Sequence, residues 1–76
     1  MNHRRRKEIK KTLSELKEIK ETIERLKGEE EEAFENSPEG MQYSDRGEKM
    51  QTAIAAFESV EGLLEEIEGE LESATE

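Results

Sequence analysis

Residues 50–74 read MQTAIAAFESVEGLLEEIEGELESA, and this stretch decides the fold. Its apolar residues recur in alternating steps of three and four, which places them along one side of an α-helix. Two of these positions repeat every seven residues, as in coiled coils. The sequence therefore predicts a long helix whose apolar seam consists of Met50, Ala53, Phe57, Val60, Leu64, Ile67 and Leu71, and ends with Ala74.

An earlier part of the chain carries the same kind of spacing. Apolar residues are separated by three or four positions, and most of the intervening residues are Lys and Glu, which are good helix formers. Pro38 stops the helix because proline cannot continue the backbone hydrogen-bond ladder. We therefore predict a first helix over about residues 4–35, with a seam made of Ile9, Leu13, Leu16, Ile19, Ile23 and Leu26.

The start of the second helix has its own marker. Ser44 and Asp45 are both suitable N-cap residues, and Glu48 lies three residues after Asp45, as in a capping box. This predicts a connector over residues 36–44 and a second helix over about residues 45–75. The predicted fold class is all-α, a single domain built as a two-helix antiparallel hairpin with coiled-coil-like packing.

A lone hairpin of 76 residues has little apolar surface to bury. Chains of this size usually need a disulfide, a metal or oligomerisation, and this one has no cysteine and no metal-binding motif. Ile54 and Leu63 lie beside the second seam and widen its apolar stripe beyond what one helix covers. We therefore expect self-association into a helical bundle, most simply a homodimer with four helices.

The two halves of the chain carry opposite charges. Residues 1–28 contain ten basic and five acidic side chains, whereas residues 45–76 contain two basic and ten acidic ones. In an antiparallel hairpin we expect the basic residues 4–11 to lie beside the acidic residues 65–76 and to favour the pairing. The overall net charge of -9 disfavours nucleic-acid binding, for which the sequence offers only the basic cluster Arg4, Arg5, Arg6 and Lys7.

The sequence offers little that could support catalysis. Its only histidine is His3, close to the N-terminus, so no nucleophile has a positioned base. The glutamates lie mainly outside the apolar seams, and no calcium loop or glycine-rich phosphate loop is present. We expect a protein without catalytic residues, metal or cofactor. There is no apolar run of membrane-spanning length and no leader-like segment, so we expect a cytoplasmic protein that does not enter the membrane.

The connector is the one segment that neither helix pattern explains. Arg46 and Lys49 fall in the first turns of the second helix, where the helix dipole disfavours cations. They have two interpretations: they neutralise the nearby Glu29–Glu35 run, or they bind an anionic ligand together with Ser44 and the ring of Tyr43. Under the second interpretation the ligand-binding residues are Tyr43, Ser44, Arg46 and Lys49.

Four stretches together resemble a known group of proteins. They are RRRKEIKK at residues 4–11, EEEEAFEN at 29–36, PEGMQYSDRGEKM at 38–50 and AIAAFESVEGLLEEIEGELE at 53–72. The chain resembles a family of small α-helical proteins encoded by bacteriophages and prophages of Gram-positive bacteria. This resemblance implies a binding protein in the cytoplasm of a bacterial host, acting on a host protein or sequestering a small nucleotide signal used in host defence. The alternative is an adaptor whose apolar seam binds another protein.

Overall fold

The computed structural model describes residues 1–76 and contains three helices: α1 (His3–Glu35), α2 (Glu39–Gln42) and α3 (Asp45–Ala74). No strand is present, which confirms the all-helical class. The helix predicted over about residues 4–35 spans His3–Glu35, and the one predicted over about 45–75 spans Asp45–Ala74. The connector, which the sequence suggested was irregular, contains the single helical turn α2.

Both long helices begin at a side-chain cap. The Oδ1 atom of Asn2 accepts a hydrogen bond from the Arg5 backbone N–H at 2.9 Å, and the Ser44 hydroxyl accepts one from the Gly47 N–H at 3.4 Å. Each bond satisfies a donor that has no partner within the helix. Of the two N-cap candidates for α3, the structure selects Ser44.

Two ion pairs define how α1 and α3 run past each other. Lys20 Nζ lies 3.0 Å from a carboxylate oxygen of Glu68, and Lys27 Nζ lies 3.0 Å from one of Glu61. Seven residues forward along α1 thus match seven residues backward along α3, so the helices are antiparallel. By this register the last residue, Glu76, lies beside residues 9–12 of α1, where Ile9 is half-buried.

The register leaves most of the start of α1 without a neighbour on α3. Residues 3–11, here called the overhang, lie at or beyond the end of α3, and only Ile9 among them is half-buried. The ion pairs of the hairpin involve Lys20, Arg25 and Lys27, and none of the basic residues 4–11. The expected pairing of residues 4–11 with residues 65–76 is therefore wrong, because the first helix begins well beyond the point where the third ends.

The seam residues of α3 agree with the prediction from heptad spacing at one of its two positions and differ at the other. Met50, Phe57 and Leu71 are half-buried against α1 and Leu64 is buried, as predicted. The alternate positions are occupied by Ile54, Glu61, Glu68 and Thr75, each one residue after the predicted Ala53, Val60, Ile67 and Ala74. Helix α3 is rotated in this way because α1 presents Lys20 and Lys27 at the seam, and Glu61 and Glu68 meet them.

Four predicted seam residues consequently lie outside the hairpin seam. Ile19 is 48% exposed, Ile67 is 45% exposed and Val60 is 36% exposed, and Ala74 is exposed as well. Ala53 is half-buried at the edge of the seam. The remaining residues predicted for the first seam are half-buried as expected: Ile9, Leu13, Leu16, Ile23 and Leu26.

The hairpin is a thin rod of 58 × 15 × 13 Å. Its radius of gyration is 17.3 Å, against about 11 Å for a compact domain of this length. Only Leu64 among the apolar side chains is buried. None of the three helices combines the length and the apolar composition that a bilayer span requires.

Candidate interaction surfaces

The seam carries charged layers between its apolar ones. Lys20 lies 3.0 Å from Glu68 and 3.9 Å from Glu65. Lys27 lies 3.0 Å from Glu61 Oε1, an enclosed oxygen with no donor besides this ammonium. All of these side chains except Glu65 are mostly shielded from water. A slip of the helices would leave partly buried charges unpaired, so the two layers help to fix the register.

The glutamates change the acidity of both lysines. Hydrogen bonding to Glu68 raises the pKa of Lys20 above its ordinary 10.5, and the nearby carboxylates of Glu68, Glu65 and Glu24 add to this, while partial desolvation opposes it. The pKa of Lys27 is raised in the same way, first by its hydrogen bond to Glu61 and then by surrounding carboxylates. The folded hairpin therefore favours the charged form of both ammonium groups.

The raised pKa values predict a loss of stability at high pH. A raised folded-state pKa means that the pairs stabilise the fold fully below pH 10.5, and that this stabilisation disappears as the pH rises through the folded-state values. We expect the melting temperature, followed by circular dichroism, to fall as the pH rises above 10.5. The double variant Lys20→Arg/Lys27→Arg should resist this fall because arginine stays charged there. An equal fall in both proteins would contradict the assignment.

One side of the hairpin exposes large apolar side chains from both long helices. Leu63 is 54% exposed, and Ile19, Val60 and Ile67 are exposed to a lesser degree, while Leu26 is half-buried beside them. We call these five residues the apolar face. In a protein of this size such a contiguous apolar surface marks an interaction site.

Helix geometry explains why residues of two helices share this face. Each residue turns an α-helix by about 100°. Ile19 directly precedes the seam residue Lys20, just as Val60 precedes Glu61 and Ile67 precedes Glu68. In a pair of antiparallel right-handed helices, the residue that directly precedes a seam residue points to the same side of the pair on both helices. The register also places Ile19 within two residues of level with Ile67, and Leu26 within one residue of level with Leu63, so the face is continuous.

The opposite side of the hairpin is polar. A shallow cleft of about 230 Å³ lies there near the turn, with Phe34, Ile54 and Ala55 at its floor and Glu31, Glu35, Gln51 and Glu58 around it. Lys20 and Glu65 meet on this same side. The apolar face is therefore the surface of the hairpin whose exposure to water is least favourable.

The connector is held tightly against both long helices. The Gln42 side-chain amide donates to the backbone carbonyls of Phe34 at 3.0 Å and Ser37 at 3.3 Å, which satisfies acceptors at the end of α1. Gly47 is buried because the first turn of α3 packs against the carbonyl groups of Met41 and Gln42. Sequence reasoning missed Gln42 and Gly47, although a glycine in the first turn of a helix has a low helix propensity that some contact has to justify.

The four residues predicted to bind an anion are distributed unevenly around the connector. Tyr43 is 80% exposed, and Arg46 and Lys49 are exposed with no carboxylate at ion-pair distance. Ser44 is occupied, since its hydroxyl donates to the Met41 carbonyl and accepts from Gly47. Neither depression of the surface is lined by any of the four: one is the cleft described above, and the other is lined by His3, Arg6, Lys7 and Lys10 of the overhang.

Comparisons with known proteins add no family to this description. Neither the protein-family models, nor the curated proteins, nor the solved structures give a match to the chain. No three His, Asp or Glu side chains converge as metal ligands would. Any functional proposal therefore has to be drawn from the surfaces of the hairpin themselves.

Proposed function

We propose that this chain is a non-enzymatic helical binding module whose hairpins assemble in pairs through the apolar face, forming a four-helix bundle. The exposure of Ile19, Val60, Leu63 and Ile67 on one side of the hairpin is the observation that carries the proposal. Helices in bundles bury a stripe of this width between layers. The occupant of the face is then a second copy of the same chain.

The surface area of the hairpin supports this occupant. Its accessible surface is 5884 Å², whereas a compact monomer of 8.8 kDa exposes about 4,800 Å². The excess of about 1,100 Å² is of the same order as the roughly 800 Å² that each partner buries in a stable complex. Pairing of two hairpins would bring the exposed area close to that of an ordinary folded protein.

Light scattering at micromolar concentration tests the proposal directly. A particle of twice 8.8 kDa is expected. A well-folded monomer would overturn self-assembly, and the apolar face would then belong to a different protein, as in the adaptor alternative. In the bacteriophage setting that the sequence resemblance implies, the proposed bundle acts by binding a host factor and not by catalysis.

A second candidate function concerns the connector. The exposed ring of Tyr43 and the unpaired cations Arg46 and Lys49 favour binding of a small anion, such as a nucleotide, near the start of α3. In this proposal Ser44 contributes only through its cap, because its hydroxyl is already engaged. The proposed ligand class is the nucleotide signals of host defence.

Calorimetric titration with linear and cyclic nucleotides tests the connector proposal. If a nucleotide binds, the double variant Arg46→Ala/Lys49→Ala should abolish binding, and Tyr43→Ala should weaken it by about 1 to 3 kcal/mol through loss of stacking. The matched control is Lys17→Ala/Arg25→Ala, which removes two exposed cations that lie outside both the connector and the overhang. Absence of binding by all the nucleotides, or equal losses in the variants and the control, would contradict a connector site.

A further inference from the structure

The two ends of the hairpin differ strongly in charge. The overhang carries six basic side chains and one acidic one. At the other end, residues 29–49, here called the turn end, carry eight acidic side chains and two basic ones. The two ends are separated along a rod 58 Å long, which is several times the Debye length of about 8 Å at physiological salt. Each end therefore interacts with whatever lies beside it, largely independently of the other end.

Two hairpins can pair through the apolar face in two symmetric ways. In one, both turn ends lie together and both overhangs lie together. In the other, the hairpins point in opposite directions. The apolar face is centred near Leu63, so the second arrangement brings the overhang of each copy level with the connector of the other, at 1.5 Å per residue along the helices.

Resting on the proposed self-assembly, we propose that the two hairpins of the dimer point in opposite directions, with the basic overhang of each copy lying across the acidic turn end of the other. Like charges placed side by side repel, so the arrangement with matched ends brings together two basic overhangs and two acidic turn ends. The opposite arrangement replaces both repulsions with attractions. It also gives the basic side chains of the overhang, which make no ion pair in their own chain, acidic partners.

The same arrangement gives a neighbour to the exposed side chains of the connector. Met41 is 39% exposed and Tyr43 is 80% exposed, and both lie at the height of the overhang of the second copy. Aromatic rings and arginine guanidinium groups stack favourably. In this arrangement the ring of Tyr43 contacts the arginine-rich overhang of the second copy and not a free ligand.

Distances between spin labels test the orientation, since the chain has no cysteine of its own. Lys10 and Lys17 are both exposed on α1 and lie seven residues apart. Each directly follows a residue of the seam, so both lie on the polar side of the hairpin and away from the apolar face. Nitroxide labels on Lys10→Cys and Lys17→Cys therefore form a matched pair outside the proposed interface. In opposed hairpins the separation of the two Lys10 labels along the rod exceeds that of the two Lys17 labels by about 20 Å, because each copy contributes seven residues at 1.5 Å per residue.

The possible outcomes of this experiment are distinct. A Lys10 distance that exceeds the Lys17 distance by about 15 to 20 Å supports the opposed arrangement. Two similar distances in a protein that light scattering shows to be dimeric would overturn the orientation and leave the proposed self-assembly intact. Absence of any distance, with a monomer by light scattering, would overturn both.

Charge reversal in the overhang provides a second readout. The triple variant Arg4→Glu/Arg5→Glu/Arg6→Glu should raise the Kd of the dimer by roughly tenfold or more at low salt, and by much less at 1 M salt, where the Debye length is about 3 Å. Helicity should not change, because the overhang makes no ion pair within its own hairpin. An unchanged Kd at low salt would contradict the contact between overhang and turn end.

Discussion

Replacing Ala56 by glutamate should convert the proposed dimer to a monomer, whereas the same replacement at the adjacent Ala55 should leave it dimeric. Both alanines are exposed in the hairpin. Ala56 lies seven residues before Leu63 and so shares its position on the apolar face, while Ala55 borders the cleft on the polar side. An unpaired carboxylate buried in the interface costs about 3 kcal/mol or more, equivalent to at least about 100-fold in Kd.

Sedimentation equilibrium over a range of concentrations measures this effect. The two variants are closely matched, because each introduces the same side chain and the same charge into the same turn of α3. Far-UV circular dichroism should show similar helicity in both when each is measured well above the Kd of its dimer. Two variants that dissociate to the same extent would show that the apolar face is not the contact between the copies.

The sequence allowed the helices, their limits and half of their seam to be predicted, because heptad spacing determines which side of a helix is apolar. It did not determine the rotation of α3 about its axis. Val60 and Ile67 were expected at the seam, but Glu61 and Glu68 occupy it. The lysines of α1 could have indicated this rotation. Lys20 and Lys27 lie seven and fourteen residues after Leu13, so they share its heptad position in the seam.

The register of the hairpin could not be predicted from the sequence either. Opposite net charges in two segments favour their approach, but they do not specify which residues lie level with each other. The register depends on specific partners, Lys20 with Glu68 and Lys27 with Glu61, and on the length of the connector. Because the connector continues along the rod past Glu35 before α3 begins at Asp45, α3 ends short of the start of α1, and most of residues 4–11 lie past its end.

The exposed apolar residues are the part of the predicted apolar stripe that the hairpin does not cover, and this part is what a second hairpin would cover. Heptad counting grouped Ile19, Val60 and Ile67 with the residues of a single seam, but the hairpin uses only part of that stripe. The remaining part faces outward together with Leu63, which the sequence had placed beside the seam. A stripe too wide for one neighbouring helix is what a bundle of four helices requires.

Replacing Gly47 by alanine should destabilise the hairpin even though alanine is the better helix former. A Cβ atom at this position would overlap the carbonyl group of Gln42 and lie 2.6 Å from the Met41 carbonyl oxygen. These are backbone atoms, held in place by the hydrogen bonds of Gln42 to the end of α1, so they cannot move aside without loss. Overpacking of this kind costs about 1 to 3 kcal/mol, which outweighs the intrinsic gain of up to about 1 kcal/mol from alanine.

Gly28 and Gly62 serve as matched controls for this prediction. A Cβ atom at either position would have no neighbour within 4 Å, so Gly28→Ala and Gly62→Ala should raise stability by up to about 1 kcal/mol through helix propensity alone. Thermal melts at one fixed protein concentration measure all three variants, because the melting temperature of a dimer depends on concentration. The expected order is Gly47→Ala below the unmodified protein and both controls above it, with shifts of about 4 to 8 °C per kcal/mol for a chain of this length. Stabilisation by Gly47→Ala equal to that of the controls would mean that α2 does not pack on the first turn of α3, and that the connector is free to take the conformation a ligand imposes.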